Sequence, residues 1–295
     1  MSWSEGFIAV DWGTTNRRGY LLAPNGNLQD EMEDEKGLLS IPAGGFPAAV
    51  QELRDRLGEK PMLMAGMIGS NRGWVEAAYA PCPAGADELA QSLTWAEPGR
   101  AAIIPGVCYT EGRAADVMRG EEVQVIGAVA AALVPPDCVI CHPGTHNKWV
   151  KVRDGRIVSF RTVMTGELFS LLKKHSILAD LLASDVETND AFADGVRCGL
   201  THDDLTAELF SIRARVLLGK ARREDSASYA SGLLIGSDVK TGLQLGSDGE
   251  IVAMGRPELT RLFTAALDIA GREAREVDGE QAFLAGTRKI AEMVG

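Results

Sequence analysis

The chain has 295 residues, 45% hydrophobic and 24% charged, a globular composition with length enough for two domains. A net charge of −11 and a pI near 5.0 argue against a reader of nucleic-acid phosphates, and the longest apolar run, 126–134, is too short to span a bilayer. The opening MSWSEGF shows no secretion signal, and five scattered cysteines, an odd number, predict reduced thiols and a cytoplasmic setting without a membrane partner.

The first element is a buried strand over 7–10, followed by Asp11 and the small turn Trp12-Gly13-Thr14-Thr15-Asn16. A strand resumes at 20–22, and Asn25-Gly26 turns it back. Gly13 lets backbone approach a ligand closely, while the amides and hydroxyls of Thr14, Thr15 and Asn16 suit an anion nest. Asp11 supplies the oxygen that a phosphate-bound Mg²⁺ requires. A polar hairpin tip can carry any one of these features without a function. Their coincidence at a strand end favours a phosphate loop, and it resembles the first phosphate loop of the sugar-kinase, heat-shock-chaperone and actin superfamily.

A third strand is expected over 28–35, then a helix through Ala48, Val50, Leu53 and Leu57, then a buried strand over 61–65. That strand ends in a glycine-rich loop, 66–74, dense in Ser70, Asn71, Arg72 and Trp74, which makes it a ligand loop. Residues 79–100 read as loop with one short helix over 87–93, and 101–105 as strand. Arg119-Gly120-Glu121-Glu122 leads into a helix through Val123, Ile126, Ala130 and Leu133. Pro135-Pro136 stops it and sets the domain boundary, giving lobes 1–135 and 136–295.

The second half repeats the opening. A strand over 138–141 is followed by His142-Pro143-Gly144-Thr145-His146-Asn147-Lys148, a strand over 149–152, a turn at Asp154-Gly155 and a strand over 157–161. A shift of 131 lays Gly13 on Gly144, Thr14 on Thr145 and Asn16 on Asn147. Two such units facing each other would grip a triphosphate from both sides. Helices are expected over 166–174, 190–200, 205–218 and 225–243, with a strand over 251–254 meeting Gly255-Arg256-Pro257 and a further helix beyond it. The last helix, 280–293, is a candidate to pack back on the first lobe.

No Gly-x-x-x-x-Gly-Lys-Ser/Thr occurs, and no Gly-x-Gly-x-x-Gly follows a strand, so phosphate handling rests on the paired hairpins. Phosphoryl transfer to a hydroxyl needs an unprotonated base within hydrogen-bond reach. Glu121, Glu122 and Asp11 compete for that duty, with Arg119 beside the two glutamates. Acids at a helix start also stabilise its dipole without any catalytic role. The likeness of Gly-x-Glu-Glu to the phosphatase branch of the superfamily favours Glu121. In Phe160–Glu167, Arg161 or else Arg72 suits bidentate capture of a carboxylate, with Thr162 and Glu167 nearby and Thr165 as a helix N-cap. Cys138-x-x-Cys141 with His142 and His146 looks like a zinc cluster. Strand alternation points the two cysteines to opposite faces, and His146 is assigned instead to phosphate or substrate.

VDWGTTN, MAGMIGSNRGW, VMRGEEVQVIGA, PGTHNKWV, FRTVMTGE and SGLLIG together resemble the 2-dehydro-3-deoxygalactonokinase family over nearly the whole chain. The resemblance implies an α/β, two-lobed actin-like ATPase (ribonuclease H-like) fold, with duplicated mixed-sheet domains and a nucleotide cleft between them. It implies ATP- and Mg²⁺-dependent phosphorylation of the terminal hydroxyl of 2-dehydro-3-deoxy-D-galactonate in galactonate breakdown. Two departures from the wider superfamily stand out. His142 and Pro143 replace the acid of the second loop, leaving metal to Asp11 alone. A single Gly255, preceded by Ala253-Met254, stands where the adenosine loop has paired glycines; the resemblance implies adenosine contacts at Gly232, Gly236 and Gly255, and this departure counts against them. The rivals are a phosphohydrolase of exopolyphosphatase type and a chaperone- or filament-like nucleotide switch. Galacto against gluco selectivity and a homodimer stay open at this level.

Overall fold

A computed structural model describes residues 3–246 and 249–294. The opening apolar run becomes β1 (Phe7–Trp12), with Ile8, Ala9 and Val10 wholly buried. It pairs antiparallel with β2 (Arg17–Leu22), which pairs with β3 (Leu28–Asp34). The helix α1 (Phe46–Leu57) lays Phe46, Val50, Leu53 and Leu57 into the core, the spacing of one helix face. Next, β4 (Met62–Gly66) returns parallel to β1.

Six short elements follow: β5 (Tyr79–Pro81), α2 (Ala86–Gln91), β6 (Thr94–Glu97), β7 (Ala101–Ile103) and the hairpin of β8 (Gly106–Glu111) with β9 (Ala114–Met118). The loop expected over 79–100 therefore contains two strands, β5 and β6. At three and four residues, one of them ending on Pro81, they are too short to display a period. The sheet order is β3-β2-β1-β4-β7-β6, with β5-β8-β9 as a separate small sheet.

After α3 (Glu121–Ala130) the pattern restarts with β10 (Cys138–His142), β11 (Asn147–Arg153) and β12 (Arg156–Val163). Four helices follow: α4 (Thr165–His175), α5 (Asp190–Thr201), α6 (Leu205–Leu217) and α7 (Ser226–Leu243). Then come β13 (Glu250–Gly255), α8 (Pro257–Ile269), β14 (Ala274–Asp278) and α9 (Gly279–Ala291). The second sheet runs β12-β11-β10-β13-β14, which repeats β3-β2-β1-β4-β7 strand for strand. In each sheet the first strand pairs antiparallel with the second and parallel with the fourth. The duplication thus extends past the three strands visible in the sequence. Strand β14 escaped the sequence reading because Arg275, Glu276 and Asp278 leave only Val277 buried.

The chain divides into two compact units. Unit 1 runs to Pro136 and also takes Arg153–Ser159 and residues from Glu280 onward; unit 2 is Asp137–Val152 with Phe160–Gly279. In unit 1, α3 and α9 touch backbone to backbone. A Cβ on Gly127 would lie 1.8 Å from the Ala282 carbonyl, and one on Gly286 would lie 2.0 Å from that of Val123. This contact fixes the helix whose first turn carries Glu121 and Glu122. Among the described residues, no helix is long and apolar enough to cross a membrane.

Candidate active site

In unit 1 the first loop is a closed ring at the end of β1. Gly13 N–H donates to the Asn16 carbonyl at 2.9 Å. Gly37, Leu38 and Leu39 then donate to the carbonyls of Thr15, Gly13 and Thr14 at 2.8, 3.0 and 3.1 Å. Three successive carbonyls are thereby turned inward, while Thr14, Thr15 and Asn16 stay exposed. That is the polarity an anion nest needs.

Asp11 stands one residue before the last of β1, opposite Arg18 in the register of β2. Burial pushes its carboxyl from 3.8 up to about 6; Arg18 opposes the shift, and Glu121 and Glu33 reinforce it. Glu121 comes close because two glycines touch. A Cβ on Gly120 (φ 112°) would sit 3.3 Å from the Gly66 Cα at the end of β4. Arg18 also pairs with Glu33 at 3.0 Å. The sequence reading missed Arg18, although its place opposite Asp11 follows from a hairpin with a four-residue tip.

Glu121 and Glu122 have different surroundings. Glu122 is wholly buried, and both its oxygens accept the Gly120 N–H at 2.8 and 2.7 Å. Burial, then the Glu121 charge, pushes its carboxyl from 4.5 to about 8, against the Gly120 hydrogen bond. Glu121 is half-buried and accepts the Arg119 N–H at 3.1 Å. A raised acid pKa means that the proton stabilises the fold. Glu122's contribution is complete below about 4.5 and is lost as pH rises through about 8. Wild type should lose about 2 kcal/mol of stability between pH 6 and pH 8 from this group, and Glu122→Gln should flatten that slope. Urea midpoints across pH measure it; equal slopes in the two proteins would refute the assignment.

Arg119, expected with the catalytic acids, turns to the 67–77 loop instead. Its guanidinium lies 4.3 Å from the Tyr79 ring centroid and donates to the Ala77 carbonyl at 2.8 Å. That loop carries Ser70 half-buried and Asn71 and Arg72 exposed, while Trp74 packs against the core. Arg161, by contrast, is exposed on β12 in unit 2, followed by half-buried Thr162.

In unit 2 the second loop closes the same ring with a different oxygen. Gly144 N–H donates to the side-chain Oδ1 of Asn147 at 2.7 Å, where the first loop used a backbone carbonyl. The Asn147 amide then donates to buried Asp238 on α7, which also accepts from Trp149 Nε1 at 2.6 Å and from Thr165 Oγ1. Burial holds the Asp238 carboxyl above its ordinary value, and the three donors oppose that. Thr165 is therefore not an N-cap; Met164 holds the cap position, and the Thr165 hydroxyl is spent on Asp238. Asn147, expected on phosphate, braces the loop with both ends of its amide. Lys148 is buried within β11. His146 Nε2 lies 2.5 Å from the Glu167 carboxylate, so both of these predicted ligand residues engage each other. The first turn of α4 supports the loop through Glu167 N–H on the Thr145 carbonyl at 2.9 Å, with Gly166 leaving no room for a Cβ beside Gly144.

Beside this loop lies a cavity of about 320 Å³, lined by Gly144, Thr165, Ser231, Ile235, Leu259 and Phe263 among others. Its walls are mainly apolar, as a planar aromatic base requires. Gly232 and Gly236, expected to touch adenosine, face away from it. A Cβ on them would lie 2.1 and 2.3 Å from the Phe192 and Val196 carbonyls of α5, and Gly195 and Gly199 reciprocate toward α7. The four glycines let two helices pack at backbone distance. Their neighbours Ser231 and Ile235 are the ones that line the cavity. Gly255 (φ 147°) ends β13 with its Cα side toward the Pro143 carbonyl.

Paired sheets of one topology, each with a small loop at its first strand end, define an α/β protein of the actin-like ATPase and sugar-kinase fold. The activator of the 2-hydroxyisocaproyl-CoA dehydratase from Clostridium difficile, solved with bound ADPNP, shares that fold at TM-score 0.52 and 10% identity, over 98% of this chain and 95% of that one. The family model described as 2-keto-3-deoxy-galactonokinase matches residues 11–290, and the chain belongs to that family. It is 38% identical over 298 residues to the 2-dehydro-3-deoxygalactonokinase of Escherichia coli K12, covering 98% of each. A crystal structure of a Sinorhizobium meliloti protein described as a 2-dehydro-3-deoxygalactonokinase superposes at TM-score 0.90 and 34% identity, over 97% of this chain and 98% of that one. The chain is accordingly a phosphotransferase with an alcohol group as acceptor.

Proposed function

We propose that this chain transfers the γ-phosphoryl group of ATP to the terminal hydroxyl of 2-dehydro-3-deoxy-D-galactonate, in galactonate catabolism, and that Glu121 is the base. The observation carrying the base assignment is the packing of Gly120 on Gly66, itself beside the Asp11 carboxylate, which brings Glu121 within electrostatic reach of Asp11 while Glu122 is wholly buried. Of the two adjacent glutamates, only Glu121 has a carboxylate that a substrate can reach.

In unit 1, the amides of Thr14 and Thr15 receive phosphate oxygens where Gly13 leaves room for them, and Arg18 exchanges Glu33 for phosphate. In unit 2, the cavity beside the second loop takes the base and ribose, with Gly144 and Thr145 at its edge. Asp11 fits a magnesium ion: its carboxylate stands at the end of β1 beside the first loop, and an oxygen ligand suits a hard cation. Bound there, the ion neutralises phosphate oxygens. Also in unit 1, Ser70 and Asn71 face the sugar acid, and Arg72 takes its carboxylate. Glu121 removes the proton from the attacking hydroxyl.

The test is ADP release measured with ATP and a panel of 2-keto-3-deoxy acids. Release should depend on the acceptor and be fastest with the six-carbon galacto acid. Inorganic phosphate released at the same rate without any sugar acid would establish the phosphohydrolase instead.

A further inference from the structure

The Cys-x-x-Cys pair that suggests zinc in the sequence is sealed in β10, with Cys138 and Cys141 wholly buried. A different set of ligands meets in the helical part of unit 2. Cys198 and His202 are four residues apart at the end of α5, so they share one face. Their Sγ and Nδ1 atoms are 3.6 Å apart. A tetrahedral zinc with Zn–S of about 2.3 Å and Zn–N of about 2.0–2.1 Å holds such atoms about 3.6 Å apart. Glu208, from α6, adds a carboxylate oxygen, and all three ligand atoms lie within 4.8 Å of one another.

We propose that Cys198, His202 and Glu208 form a three-ligand Zn²⁺ site that clips α6 to α5, with water in the fourth position. Thiolate, carboxylate and neutral imidazole together balance the ion's two charges. Thiolate and imidazole ligands also select zinc over the magnesium that oxygen-only sites take. In the metal-free chain Cys198 keeps its proton. A thiol with the ordinary pKa of about 8.5 is protonated at pH 7. Binding therefore breaks the S–H bond, forms Zn–S and releases one proton to buffer. His202 is exposed, which gives the ion its route in, and Cys198 and Glu208 are half-buried. Nδ1 also lies 3.1 Å from Thr201 Oγ1 and 3.2 Å from the Cys198 carbonyl, contacts it gives up when it turns its lone pair to the metal. None of the three residues belongs to the phosphoryl-transfer machinery, so the site stands or falls independently of the kinase reading.

The experiment uses the intact, metal-stripped protein titrated with Co²⁺ and then Zn²⁺. One Co²⁺ should bind with the visible bands of a tetrahedral ion and a thiolate-to-metal charge-transfer band, and Zn²⁺ should displace it. Calorimetry in two buffers of different protonation enthalpy should show about one proton released per zinc. Cys198→Ser and His202→Ala should each weaken zinc binding by about a hundredfold or more. Because His202 is exposed, His202→Ala remains folded, and circular dichroism checks this. An octahedral cobalt spectrum without the charge-transfer band overturns the site. So does the absence of stoichiometric binding, or zinc affinity unchanged in folded His202→Ala.

Discussion

Glu121→Gln is expected to lower kcat by about 10²–10⁴-fold while substrate binding changes little. The amide keeps the size and the hydrogen bond to the Arg119 N–H but cannot accept a proton from the sugar-acid hydroxyl. Loss of an interaction made only as the hydroxyl is deprotonated lowers kcat and kcat/KM together. Near-normal turnover in Glu121→Gln, with the sugar acid still bound, would move the base to Asp11. Glu122→Gln is the internal control. Its carboxyl is buried and pushed up to about 8, so replacing it by a neutral amide removes a titrating group and alters the pH dependence of stability far more than turnover.

Loop 1 was legible because its chemistry is local. Asp11, Gly13 and both threonines lie within five residues at the end of an apolar strand, and the antiparallel pairing with β2 follows from the hairpin alone. Its closing partners, Gly37–Leu39, lie across β2 and β3 and left no pattern except Gly37, where a Cβ would fall within 2.5 Å of Thr15 backbone. Loop 2 was half legible. The Gly-Thr-x-Asn register was found, but Asn147 proved to be a brace, since its partner Asp238 lies 91 residues away. Glycines in α7 were misassigned because glycine serves two purposes, approach to a ligand and approach of helices. The four-residue spacing at Gly195/Gly199 and at Gly232/Gly236 marks the second purpose. Glu121 and Glu122 could not be told apart from sequence, because only the turn at Gly120 decides which carboxylate is folded under the backbone.

Asp238→Ala should destabilise the protein by about 3–5 kcal/mol, because it strands three donors at once. Trp149 Nε1, the Asn147 amide and the Thr165 hydroxyl all converge on this one buried carboxylate. No water can replace it cheaply, since the Trp149 ring is packed directly over Gly242 one turn further along α7. A shift of that size should lower the melting temperature by roughly 6–20 °C. Asp238→Asn should lie between the two proteins, because its amide oxygen still accepts from one donor group while its NH₂ faces another. Thr165→Ala removes one donor and leaves the carboxylate with two, so it should cost about 1–3 kcal/mol. The functional consequence runs through Asn147. Without Asp238 to hold its NH₂, Asn147 is free to turn its Oδ1 off the Gly144 N–H, and the second loop loses the bond that closes it. In the folded fraction of Asp238→Asn, KM for ATP should therefore rise while KM for the sugar acid stays near wild type. Equal changes in both constants, or an unchanged melting temperature in Asp238→Ala, would show that this carboxylate does not hold the loop.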